Sequence, residues 1–264
     1  LAINGRKQIE PRKRKKSINF AKQKIIIDGK SENKTSPFLL VEYIVLKGQR
    51  VHWLWIFVIL KNFNPKNPKY QFNNYIYKNN KIFRECGLHI EILKDEENGF
   101  TELVGLDEMA VSNVNKVKNF YKEALSLYDN GRILDAIKEL EKITQDKNHN
   151  WYTFTDAYMN LAKWICELNF EKISEELIQK CGSFLKWYSK KLKIGISRIE
   201  KYTHDNELDT ESKDEFRKIK KELEKVENLY KNLISRIPIS YEDEAYEELV
   251  NLLMEQRNNL FIIK

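Results

Sequence analysis

No stretch of this chain stays apolar for the roughly 18 or more residues that a membrane-spanning helix needs, and the most apolar segment, 51–60, is short and flanked by charge. The opening residues LAINGRKQIEPRKRKK lack the apolar core and cleavage site of a secretory signal. A soluble, cytoplasmic protein with no membrane partner is the expectation. A start at Leu1, without an initiator Met, is compatible with a fragment of a longer protein. Cysteine is scarce: Cys86, Cys166 and Cys181 are odd in number and far apart, with no CxxC or Cys/His cluster. That disfavours a disulfide framework or a zinc site and leaves buried free thiols as the expectation. The motifs GxxxxGK[ST], GxGxxG and HExxH are missing. His52, His89, His149 and His204 are scattered without a nearby nucleophile, and pairs such as Glu96-Glu97 and Glu175-Glu176 lie in charged runs that normally face water. No catalytic residue, cofactor or metal ligand is assigned, and the chain is not expected to be an enzyme.

What is present is an uneven charge. Residues 1–81 carry 18 Lys/Arg against four acidic residues, a net of +14, whereas residues 82–264 carry 28 against 35, a net of −7. Such a split speaks to partners and not to fold. The N-terminal third is suited to a polyanion. Residues 1–20, with the run Pro11-Arg12-Lys13-Arg14-Lys15-Lys16, read as a basic disordered arm. The same run matches a nuclear-import pattern, but such runs arise by chance in a Lys-rich chain.

Beyond the arm, residues 21–106 read as one domain. A strand at 24–28 is turned by Gly29, and Ser36-Pro37 starts a helix over 38–46. A second helix is expected over 51–60. Pro65 and Pro68 mark a loop, and a third helix runs over 69–86 to Gly87. Strands at 88–93 and 100–104, joined by a polar loop ending in Asn98-Gly99, form a hairpin. Residues 112–264 then read as helices at 113–129, 132–145, 152–168, 171–188, 212–235 and 241–258, with a polar interruption at 203–210. The fold class expected is mainly α: a winged helix-turn-helix of three helices plus a β-hairpin, followed by an α-helical TPR-like repeat domain.

In the winged-helix plan the third helix enters the major groove. On its wheel Phe72, Tyr75, Ile76, Ile82, Phe83 and Cys86 share one side. Asn73, Asn74, Tyr77, Lys81 and Arg84 face away, with Lys78 on the flank and Lys69 at the start. Asn can bond adenine bidentately, Lys and Arg can reach guanine, and Tyr and Lys can hold phosphate. These seven residues are the DNA-binding candidates. The acidic tip Asp95-Glu96-Glu97 is at odds with a wing on phosphate, and Asn79 falls on the apolar side without a sequence-level reason.

The segment from Ile25-Ile26-Ile27-Asp28-Gly29-Lys30 through Leu39-Leu40-Val41-Glu42-Tyr43-Ile44-Val45-Leu46 to Gly48 and Val51 resembles the opening of an OmpR/PhoB-type winged helix, where an "xDGK"-like turn precedes "LLEYLVLxxGRxV". Residues 73–85 resemble its recognition helix, "NxLxxxIxxLRxxL", and Asn98-Gly99-Phe100 resembles its wing, with Phe in place of the usual Tyr. Ala124, Leu127, Gly131, Ala136 and Leu140, echoed by Ala162, Ile165 and Ile178, form a tetratricopeptide-like signature. With Tyr241 to Met254, similar to "DEExxxxLM", they resemble the bacterial transcriptional activator domain of SARP-type regulators. The resemblance implies a cytoplasmic, nucleoid-associated bacterial regulator of transcription. Its implied partners are double-stranded DNA and, through the helical domain, RNA polymerase, an effector or a second copy in a homodimer. The alternative is a TPR-type protein-interaction scaffold whose winged helix docks a protein.

Overall fold

The structure is a computed structural model describing residues 16–19, 24–27, 30–35, 41, 43–44, 50–59, 67–95, 98–105, 112–145, 154–168 and 173–235. It is mainly helical. Strands β1 (Lys16–Asn19), β2 (Lys24–Ile27) and β3 (Lys30–Thr35) make an antiparallel sheet in the order β1-β2-β3. Residues 41, 43 and 44 are helical. Then come β4 (Arg50–His52), α1 (Trp55–Ile59), α2 (Pro68–Glu85), β5 (Glu91–Lys94) and β6 (Phe100–Val104), with strand order β4-β6-β5. Five further helices follow: α3 (Ser112–Asp129), α4 (Ile133–Gln145), α5 (Thr155–Glu167), α6 (Glu175–Asp205) and α7 (Thr210–Ile234).

Several boundaries differ from the sequence reading, each for a physical reason. The basic arm was expected to be disordered through residue 20, but Lys16 pairs with Ile27 and Ile18 with Ile25 in the β1–β2 ladder. Backbone hydrogen bonding outweighs the local charge there, and strand structure reaches back to residue 16. The strand expected at 24–28 is one of three. The second helix expected over 51–60 is shorter: Arg50, Val51 and His52 pair with Glu102, Thr101 and Phe100 instead. A continuous apolar run has no periodicity to separate strand from helix. The helix expected over 171–188 does not stop there but runs on to Asp205 as α6. Leu192, Ile196 and Ile199 continue its buried stripe behind a screen of exposed lysines. The polar break after it is present, at 206–209. The expected Ser36 cap and the helix over 241–258 lie outside the described residues.

The helical part is a succession in which each of α3 to α7 packs on the next, with α5 also against α7. Ala124, Ala136, Leu140, Ala162 and Ile165 are fully buried. Aromatic rings fill the space between helices: Tyr128 stacks on Trp164 at 4.6 Å and Tyr158 on Phe184 at 4.2 Å. The stripe Ile219, Val226 and Leu233 of α7 is buried in the same array. Cys86 and Cys181 are buried free thiols and Cys166 is half-buried. Among the described residues no helix is long and apolar enough to cross a membrane.

The two parts share one hydrophobic core running from Val41 to Leu233. Helix α1 is buried through Ile56, Phe57, Val58 and Ile59, which is why its sequence has no polar face. It lies against α6, where Gly195 brings the backbones together. A Cβ at Gly195 would fall 2.7 Å from Val58 Cγ2 and 3.2 Å from Val58 Cα. Arg198 donates to the Phe57 carbonyl at 3.4 Å, and Trp55 Nε1 to Glu215 at 3.2 Å.

Burial also sets an alkaline limit. Burial, reinforced by the Asp156 charge and opposed by a hydrogen bond from Asn160, pushes Tyr121 up to about 12. Burial and neighbouring carboxylates raise Tyr43 and Tyr188 as well. The fold holds these phenol protons more tightly than the unfolded chain, whose tyrosines titrate near 10. Stability is therefore fully present below about pH 10 and falls as pH rises through about 12. Urea midpoints measured between pH 8 and pH 11.5 should decline steadily above about 10; a flat profile would contradict the burial of these rings.

Candidate nucleic-acid interface

Helix α2 starts on Asn67, whose Oδ1 accepts from the Tyr70 N–H at 3.3 Å, with Pro68 in the first turn. Its end is closed by the Leu88 N–H returning to the Phe83 carbonyl at 2.8 Å. Phe72, Ile76, Phe83 and Cys86 are buried and Tyr75 and Ile82 half-buried, matching the apolar side of the wheel. On the opposite side Asn73, Tyr77, Lys78, Lys81 and Arg84 are exposed and Asn74 is half-exposed. Lys69 belongs to the helix, but its side chain is outside the described set. Tyr70, which the wheel did not single out, joins this face at 64 % exposure, near Tyr77 at 60 %. An exposed aromatic on a helix otherwise well packed was the available signal. No acidic residue occurs between Tyr70 and Arg84.

The four asparagines of α2 divide by role. Asn79 is fully buried and its Nδ2 donates to the Tyr75 carbonyl one turn back at 2.9 Å, which accounts for its place on the apolar side. Asn80 is a clamp: its Oδ1 accepts from the Ile92 N–H at 2.8 Å and its Nδ2 donates to the Ile92 carbonyl at 2.9 Å. Because β5 is an edge strand of its sheet, this amide stands in for a neighbouring strand and locks α2 to the hairpin. Asn73 and Asn74 form no such bonds among the described residues. Arg84 turns its Nε back to the Asn80 carbonyl at 3.3 Å.

The hairpin is held from both sides. Asp95 pairs with Arg50 and accepts from the Asn98 N–H at 3.1 Å and its Nδ2 at 3.0 Å. The Arg50 guanidinium also covers the Phe100 ring at 4.7 Å. One of the three acidic groups at the tip is thus a turn-forming residue paired with a cation; Glu96 and Glu97 lie outside the described residues. Behind the hairpin, the Trp53 N–H donates to the Gly99 carbonyl at 3.0 Å. A side chain at Gly99 is excluded, since its Cβ would lie 2.6 Å from Trp53 Cδ1. Trp53 in turn meets Tyr202 of α6 edge-on at 5.5 Å.

The expectation that no histidine has a nucleophile nearby needs correction. His52 Nε2 is 3.3 Å from Ser212 Oγ, a contact across 160 residues that sequence proximity could not reveal. Its Nδ1 accepts from the Leu54 N–H at 3.3 Å, so Nε2 is the donor to Ser212 in the neutral ring. Both residues are sealed at 1 % exposure, and the pair ties β4 to the start of α7. Among the described residues no group of three His, Cys, Asp or Glu is arranged to hold a metal. Comparison with protein-family models, curated proteins and solved structures yields no match to this chain.

Proposed function

We propose that the winged helix read over residues 21–106 binds double-stranded DNA through α2, and that the chain is a SARP-type regulator of transcription. The observation that carries this reading is the outward face of α2, where aromatic, amide and cationic side chains align from Tyr70 to Arg84 without an acid, the one acidic residue of the helix being the exposed Glu85 at its end. The order of elements supports it: a helical segment at 41–44, β4, α1, α2 and the β5–β6 hairpin, with β4 pairing across β6, follows the winged-helix plan. The net +14 of residues 1–81 adds long-range attraction to phosphate. The helical succession, with its buried alanines, is read as a TPR-like bacterial transcriptional activator domain for dimerisation, effector or RNA polymerase contact. A cytoplasmic place beside the nucleoid follows from this role.

The test is duplex binding by fluorescence anisotropy across 50–200 mM salt, a range over which phosphate contacts weaken steeply. The Lys81→Ala/Arg84→Ala double variant is expected to bind duplex more weakly and to show a salt slope shallower by about 1 for each phosphate contact removed. Unaltered affinity would remove α2 from the interface. A stoichiometric protein partner, with no duplex binding at low salt, would instead favour the docking scaffold; the Arg50–Asp95 pair weakens the acidic-wing argument for that alternative.

A further inference from the structure

We infer that α2 reads A·T-rich steps in the major groove, with Asn73 and Asn74 on adenine and Tyr70 and Tyr77 on the methyl groups of thymine. The inference rests on the DNA-binding reading above and narrows it to a class of sequence. Recognition helices present their N-terminal residues to base edges. Among the described residues, the outward side chains of α2 up to its midpoint are Tyr70, Asn73 and Asn74, with Tyr77 immediately after. The major groove pairs Arg or Lys with guanine, carboxylates with cytosine, and Asn or Gln bidentately with adenine, while apolar surface meets the thymine methyl. Among those four side chains there is no group for guanine or cytosine and there are two for adenine.

The geometry makes these groups available. Asn79 and Asn80 use their amides within the fold, whereas the side-chain amides of Asn73 and Asn74 form no hydrogen bond among the described residues. Tyr70 and Tyr77 are seven residues apart, two turns or about 10 Å along the helix axis, so their rings bracket the asparagines on one stripe. Apart from Lys69, whose side chain lies outside the described residues, the cations lie further on. Arg84, the one arginine of α2, is drawn back by its bond to the Asn80 carbonyl, and Lys78 and Lys81 occupy the second half of the helix. That arrangement gives the amides and rings to the bases and the positive charge to the phosphates.

The test is selection of duplexes from a random pool by the intact chain, then anisotropy on the enriched sequence with two base analogues. Replacing adenine by 7-deazaadenine removes the N7 acceptor, and replacing thymine by uracil removes the methyl; neither alters the minor-groove edge. Asn73→Ala is the protein-side counterpart. Its side chain is exposed, so the urea midpoint should hold while the preference for A·T over G·C duplexes collapses. Each lost bidentate contact should weaken binding by about 5- to 150-fold. Enrichment of A·T steps that both analogues weaken supports the inference. Enrichment that survives both analogues means groove shape is being read, and overturns it while leaving DNA binding intact. Enrichment of G·C steps, or of none, does the same. Failure to bind any duplex at 50 mM salt overturns the DNA-binding reading and this inference together.

Discussion

Replacing Asn80 by Ala is expected to destabilise the protein by about 2–6 kcal/mol, because each of two buried backbone groups left without a partner costs about 1–3 kcal/mol. The two groups are the N–H and carbonyl of Ile92, both bonded by the one amide. No water can easily replace it, since Asn80 and Ile92 are buried. Asn80→Asp is expected to fare little better. A carboxylate can still accept from the Ile92 N–H but would face the Ile92 carbonyl with an acceptor. Urea denaturation monitored by tryptophan fluorescence measures the loss, and Asn73→Ala, on the exposed face of the same helix, is the control expected to stay within about 0.5 kcal/mol. Equal midpoints for the two alanine variants would show that the clamp contributes nothing. The same bonds orient α2 relative to the hairpin, so Asn80→Ala should also weaken duplex binding under conditions where it remains folded.

Introducing Val at Gly195 is expected to force α1 away from α6. The Cβ alone would stand 3.2 Å from the Val58 Cα, and backbone cannot move aside as a flexible side-chain end can. Overpacking of this kind costs about 1–3 kcal/mol and sometimes more. The displacement would propagate, because Arg198 to Phe57 crosses the same contact, and Trp55 to Glu215 and His52 to Ser212 join the adjoining residues to α7. The expected result is a lower urea midpoint with a smaller slope, the mark of two parts no longer unfolding as one. Val58→Ala removes the Cγ2 that lies 2.7 Å away, so combined with Gly195→Ala it should cost less than the sum of the single changes. Strict additivity would mean that the close approach carries no energy. This contact matters for the proposed function because it is what couples the helical array to the part bearing α2.

The legible part of the molecule was the part with a clear period. Helix α2 has a buried stripe and an exposed stripe, so its bounds, its candidate residues and the hairpin after it could be read from spacing alone. The run 51–60 could not be divided, because apart from His52 its residues are apolar throughout, for two different reasons: β4 pairs with β6, and α1 is packed against α6. The continuation of α6 was hidden by lysines whose charges face water while Leu192 and Ile199 face inward.

The net +14 of residues 1–81 and the alignment of Asn73, Tyr77, Lys81 and Arg84 follow from the order of residues alone, since a helix repeats every 3.6 positions whatever surrounds it. Which asparagines are free to meet a ligand does not. Asn79 and Asn80 were indistinguishable from Asn73 and Asn74 by residue type; burial turns the Asn79 amide back onto its own helix, and the edge strand β5 takes that of Asn80. The same holds for His52 and Ser212, and for Gly195 and Val58, which are far apart in the chain and meet across the shared core. Local periodicity is written into the sequence, whereas contacts between distant segments exist only once the chain has closed on itself.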